Sequence, residues 1–172
     1  MLPGSVGLVV LFLFLAVLSG AGFVVLDIQS QGRSLSAQVF ASLSVALAAA
    51  AVLGANQQPA EVVYVVSGLL GVRFVSSVFL VRHLLRRVQQ RPSSVVWVLV
   101  TMGGIFLLSL AGESWGWLGG YGIGALWMLI GRSVVYLWLW HPRQAKQIGQ
   151  LEVGVGVVFV GLLIAEMLMR VR

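Results

Sequence analysis

Two arginines, Arg73 and Arg132, stand inside long apolar runs, in GVRFVSSVFL and GRSVVYLWLW. A guanidinium in such surroundings can hold a carboxylate or phosphate through charge-assisted hydrogen bonds. Ser76 and Ser77 follow Arg73 at about one helical turn, and Tyr136 follows Arg132 at the same spacing. Counter-charges are scarce. Of five acids, Asp27, Glu61, Glu113 and Glu152 fall at the ends of apolar runs, and Glu166 lies about a turn from the end of the last one. Glu152 is within reach of an extended Arg132 side chain. Arg73 has no acid at its depth, so it needs hydroxyls, carbonyls, water or an anionic ligand. Arg73, Arg132, Tyr136, Ser77 and Glu152 are therefore the candidate lining of a polar cavity for an anionic or phosphate-bearing molecule. The first reading is two structural arginines satisfied within the bundle; the functional alternative is that cavity, in a small transporter or transporter subunit for an anionic solute.

Other chemistries find little support. The chain has no cysteine, which removes disulfides, thiol catalysis and thiolate-bound metals. His83 and His141 both fall at the ends of apolar runs, at one depth, but HLLRR and HPRQ resemble interfacial flanks rather than haem-ligating helix interiors. A metal site wants three or four clustered His, Asp or Glu ligands, and a Mg²⁺-dependent diphosphate chemistry wants several carboxylates; the chain has a single aspartate, Asp27. No GxSxG, HExxH or Walker sequence occurs, and GGYGIG and GVGVG follow no strand. Neither catalysis nor a cofactor is expected.

The elements that position these residues follow from composition. Hydrophobic residues make up 59% of the 172 and charged residues 9%, a balance no water-soluble fold of this length can hide. The solvent is lipid, and the expected fold is all-α: a polytopic transmembrane helical bundle. Six runs match the roughly 20 residues that cross a bilayer core: Val6–Leu26, Leu35–Gly54, Glu61–His83, Ser94–Ala111, Trp117–Trp140 and Leu151–Met169. They make a single transmembrane domain over 1–172, with short connections that set neighbouring helices antiparallel. Barrel strands would alternate with period two, and these runs do not. Small residues recur every fourth position at Ser42, Ala46, Ala50 and Gly54, and again at Gly116, Gly120 and Gly124, where close helix packing is expected. The first run is read as a retained helix, since no basic residue precedes it as in a signal peptide.

Basic residues set the orientation. Arg33, then Arg82, Arg86, Arg87 and Arg91, then Arg143 and Lys146 mark the first, third and fifth connections, whereas the second and fourth carry none. Positive residues stay cytoplasmic. Segments 27–34, 84–93 and 141–150 are thus expected on the cytoplasmic side of a bacterial-type inner membrane, with both termini outside. Arg170 and Arg172 alone argue otherwise. Trp115 and Trp117 open the fifth run and Trp138 and Trp140 close it, as interfacial anchors do. The expected partner is the lipid bilayer, with anionic head groups near RHLLRRVQQR and a membrane-protein partner as further candidates; nucleic acid is not expected, because no basic face lies outside these flanks.

The segment GVRFVSSVFLVRHLLRR resembles the helix of YwiC-like proteins that ends in a Val-Arg, then Arg-rich exit. The block HPRQAKQIGQLEVGVGVVFVGLL is similar to that family's closing pattern of a basic loop, Ile-Gly, and an acid opening the last helix. The resemblance spans about Gln31 to Leu163, and Arg73, Arg82, Arg86, Arg132, Gly149 and Glu152 are the matched positions. It implies a multi-pass membrane protein of undefined activity. Those proteins open on a Gln-His-Gly-Ala-Trp type segment absent here, so the chain is expected to be a shortened member.

Overall fold

The computed structural model describes residues 3–30, 35–139 and 144–171. Six α-helices follow one another: α1 Pro3–Ser30, α2 Leu35–Ala55, α3 Ala60–Val88, α4 Val96–Ser114, α5 Gly120–Val134 and α6 Ala145–Val171, with a π-helical turn, Val135–Leu139, continuing α5. No strand occurs among the described residues. Six segments are long and apolar enough to cross a membrane: Val6–Ile28, Leu35–Ala55, Ala60–Val88, Val96–Ser114, Gly120–Leu139 and Ala145–Met169. The fold is the expected all-α one, and its six candidate spans are those of a multi-pass membrane protein. The outward surface agrees. Phe14 is 62% exposed, Val17 70% and Val157 70%, and each such side chain left in water forgoes about 1.5–3 kcal/mol of burial. Repeated along α1, α4 and α6, that loss would exceed the about 5–15 kcal/mol net stability of a soluble domain. Lipid removes the penalty.

The chain forms two compact units, residues 1–78 and 79–172. In the first, α1 and α2 run antiparallel and close together. Gly54 sets its Cα face against Val9 and Leu8, Ser44 donates to the Ala16 carbonyl at 3.0 Å, and Gly22 lies under the Phe40 ring. Ala46, Ala50 and Gly54 are buried, so most of that small-residue stripe is a packing surface. Phe12, Ala50, Ala51 and Val63 make the unit's core, and the Phe12 and Tyr64 rings meet at 5.8 Å.

The second unit is an antiparallel succession of the end of α3, then α4, α5 and α6. Phe79 stacks on Trp97 at 5.9 Å, and Phe106 meets Trp127 edge-on at 5.8 Å. Its core joins Leu80, Leu84, Val98, Tyr136, Leu137 and Ile148. Two boundaries differ from the sequence expectation here. The third helix runs past His83 to Val88 because Leu84 is wholly buried, leaving Arg86 and Arg87 on the outer face of a helix rather than in a loop. The sixth begins at Ala145 instead of Leu151 because Ile148, 1% exposed, is a core residue. The glycine series Gly116, Gly120 and Gly124 also departs from expectation: none has a neighbour within 4 Å of where a Cβ would lie, and Gly122 is the residue that packs.

Other hydroxyls bond to the backbone of their own helix. Ser109, Ser133 and Thr101 each donate to a carbonyl one turn earlier, which satisfies the hydroxyl without water. Helix ends are closed by left-handed residues. Gln57 (φ 58°) ends α2 and Gln90 (φ 54°) ends α3, with the Arg91 N–H donating to the Arg86 carbonyl at 2.9 Å. A left-handed glutamine is strained where glycine is not. Gln90→Gly is expected to stabilise the protein by about 0.5–1 kcal/mol, read as a higher midpoint of thermal unfolding in detergent.

Candidate functional site

The facing sides of α5 and α6 carry the buried charge of the second unit. Arg132 is 5% exposed overall. Its Nη1 donates to both Glu152 oxygens, at 2.9 Å to Oε2 and 3.2 Å to Oε1. The side chains are unequally shielded, Arg132 at 2% and Glu152 at 14%. The sequence builds this pair by periodicity. Gly122, Ala125, Leu126, Leu129, Arg132 and Ser133 make the inward face of α5, and Arg132 falls on it with the leucines. Glu152 lies seven residues from the start of α6, about 10 Å of helix rise inside that end. Tyr136, one turn beyond Arg132 and 5% exposed, sits in the π turn and within electrostatic range of both charges. A π turn widens the helix by one residue and frequently marks a functional position.

The other end of the same helix pair holds a second buried acid. Glu166 is 2% exposed. Its carboxylate accepts the Gly119 N–H at 2.7 Å and the Gly122 N–H at 3.0 Å. Those amides belong to the first turn of α5, whose N-cap residue, Gly119, has no side chain to accept them. The cap therefore comes from α6. Beside it lies a depression of about 500 Å³ lined by Gly116, Leu118, Gly119, Gly120, Tyr121, Glu166 and Met169. Sequence reasoning placed Glu166 merely near a span end. The signal that finds it is the run GWLGGYG, a helix start with no Ser, Thr, Asp or Asn to cap it, in a chain where lipid cannot stand in.

The remaining candidates are placed as follows. Arg73 and Ser77 belong to the first unit, while Arg132, Tyr136 and Glu152 belong to the second. The Arg73 guanidinium lies 5.3 Å from the Phe74 ring centroid, and buried Ser76 donates to the Arg73 carbonyl at 2.9 Å. Arg82 is half-buried, whereas Arg86, Arg87, Arg91 and Lys146 are exposed. Arg87 also donates to the Leu137 carbonyl at 3.3 Å, tying α3 to the π turn. His83, 8% exposed, donates from Nδ1 to the Ser94 carbonyl at 3.3 Å and serves the α3–α4 turn. Arg33, Trp140, His141 and Arg143 lie outside the described residues.

No family model matches the chain, and no curated protein or solved structure matches it either. Its chemistry is therefore read from the side chains themselves. A guanidinium and a carboxylate inside a candidate membrane span, with a phenol one turn away, can hold and release an anion or a proton. No metal-binding cluster of three or more His, Cys, Asp or Glu residues occurs among the described residues.

Proposed function

We propose that this multi-pass protein is a small transporter, or the membrane subunit of one, for an anionic solute, with Arg132 as the group that holds the anion. One observation carries the reading: a guanidinium 2% exposed on the inward face of a candidate span, paired to a carboxylate that keeps 14% of its surface open. A cation at such a depth is costly unless it is neutralised, and residues of this kind mark ion and substrate pathways. The proposed site lies wholly in the second unit. The YwiC-like resemblance is part of the same proposal, supported by GVRFVSSVFLVRHLLRR and by the final block in which Glu152 is the acid opening the last helix.

Reconstituted protein should exchange radiolabelled anions from a panel of pyruvate, phosphate and sulfate across proteoliposome membranes, and Arg132→Gln should reduce that exchange at least about tenfold, one lost charge-assisted contact. Exchange no faster than in empty vesicles for every solute would leave a membrane protein without transport, its arginines structural.

The same proposal places the basic end of α3 in the cytoplasm of a bacterial-type inner membrane. Because the chain has no cysteine, Gln89→Cys introduces a single reporter. A membrane-impermeant maleimide is expected to spare it in intact cells and to label it once the membrane is broken. Labelling in intact cells would invert the topology.

A further inference from the structure

Resting on the transport reading above, we propose that Glu152 and the solute compete for Arg132, so that the protein moves a small monocarboxylate together with one proton, without net charge. In the paired state the guanidinium holds a carboxylate through Nη1 contacts of 2.9 and 3.2 Å. A solute carboxylate reproduces those contacts, so the group Arg132 already binds names the class of group it can accept. Binding is a substitution. The two Nη1 hydrogen bonds to Glu152 break, a proton adds to a Glu152 oxygen, and Nη1 donates instead to the solute's carboxylate. The guanidinium–carboxylate pair carries one positive and one negative charge before the step and one of each after it.

Three observations favour this order. First, the Arg132 side chain is 2% exposed and that of Glu152 14%, so the glutamate is the member of the pair with open surface at which a proton can add. Second, taking the carboxylate away from a buried guanidinium is costly. An anion that enters as Glu152 is protonated keeps one carboxylate on Arg132 and avoids adding a second negative charge. Third, Tyr136 stands one turn from Arg132 in a π turn, where the backbone departs from α-helical spacing beside the pair.

The charged and titratable groups around Glu152 are consistent with that step. Arg132 and Tyr136 face it from α5 and the π turn. From α3, Arg87 is engaged with the Leu137 carbonyl and His83 with that of Ser94. The acid of α4, Glu113, lies in the helix's last turn, towards the Gly119 end. On α6 itself, Lys146 is exposed in the first turn and Glu166 is bound to Gly119 and Gly122.

The test uses the full chain in proteoliposomes with pyruvate as the probe, an acid ionised enough to permeate slowly by itself. With external pH one unit below internal, wild-type protein should accumulate pyruvate about tenfold, and a potassium diffusion potential of either sign should leave that ratio unmoved. Glu152→Gln, a neutral stand-in for the protonated acid, should drop the ratio to about one and make exchange independent of pH. A potential-dependent ratio, or pH-driven accumulation that survives E152Q, would overturn the proposal. If E152Q does not fold, the wild-type protein in detergent decides: pyruvate binding should take up about one proton per molecule, seen with an indicator in weak buffer, and binding without proton uptake refutes the coupling. Exchange of phosphate with none of pyruvate would overturn the carboxylate assignment. Exchange of pyruvate without pH drive would defeat the coupling and leave anion transport standing, whereas no exchange of any anion would remove the transport reading beneath it.

Discussion

Glu152→Leu, with Arg132 kept, is expected to lower stability by about 3–5 kcal/mol, and Arg132→Leu to cost a comparable amount. Each substitution removes one member of the ion pair between α5 and α6, at a site where the Arg132 side chain is 2% exposed. The double variant E152L/R132L should recover most of the loss. Two leucines bury well against the existing inward face of Leu126, Leu129 and Phe159, and replacing a buried ion pair by apolar residues is often neutral or stabilising. Unfolding in increasing mole fractions of a denaturing detergent, followed by tryptophan fluorescence, reads all three. A double variant no more stable than the singles would mean that the pair sits in water rather than in the helix interface. Stability and transport then separate: the double variant folds, yet has lost the group proposed to hold the anion.

The second large effect concerns Glu166. Removing its carboxylate deprives the first turn of α5 of two charge-assisted hydrogen bonds, and Glu166→Gln is expected to cost about 2–3 kcal/mol in the same assay. Glutamine is a poor substitute because it offers one carbonyl oxygen, while its amide N–H₂ must face either the Gly119 or the Gly122 N–H. Gly119→Ala should be damaging for a different reason. Its Cβ would stand 2.7 Å from both Glu166 oxygens, so the carboxylate has to withdraw from the amides it caps. These facts combine into a rescue. Gly119 holds φ −81° and ψ 178°, the extended backbone of an ordinary N-cap that any residue adopts. With Glu166 cut back to alanine there is room for a side chain, and E166A/G119S should recover about 1 kcal/mol relative to E166A as serine caps its own helix. If G119S does not rescue E166A, the carboxylate is doing something other than capping.

The sites differ in how far they could be read in advance. The Arg132–Glu152 pairing was legible because reach along a helix is simple arithmetic: an arginine some eight residues from one span end and an acid opening the next span fall at similar depth. The Glu166 cap was hidden because the acceptor and its donors are 44 to 47 residues apart, and nothing local to Glu166 marks it. The π turn around Tyr136 was likewise invisible, since VYLWL has no residue that forbids an α-helix. The helices α3 and α6 extend beyond the expected spans, because Leu84 and Ile148, buried between the charges, carry the helices onward.

Sequence alone determined the solvent, the number of candidate spans and the kind of residue that does not belong in them. Those properties depend on composition summed over about 20 residues, and no tertiary contact can change how many apolar side chains a segment carries. Tertiary structure decided which inward residues meet. Whether a buried acid neutralises an arginine, as Glu152 does, or closes a helix, as Glu166 does, depends on the rotation and register of α6 against α5. Apolar surfaces attract one another without direction, so the pattern of leucines and valines leaves that register open. Hydrogen bonds and ion pairs, being directional, are what fix it.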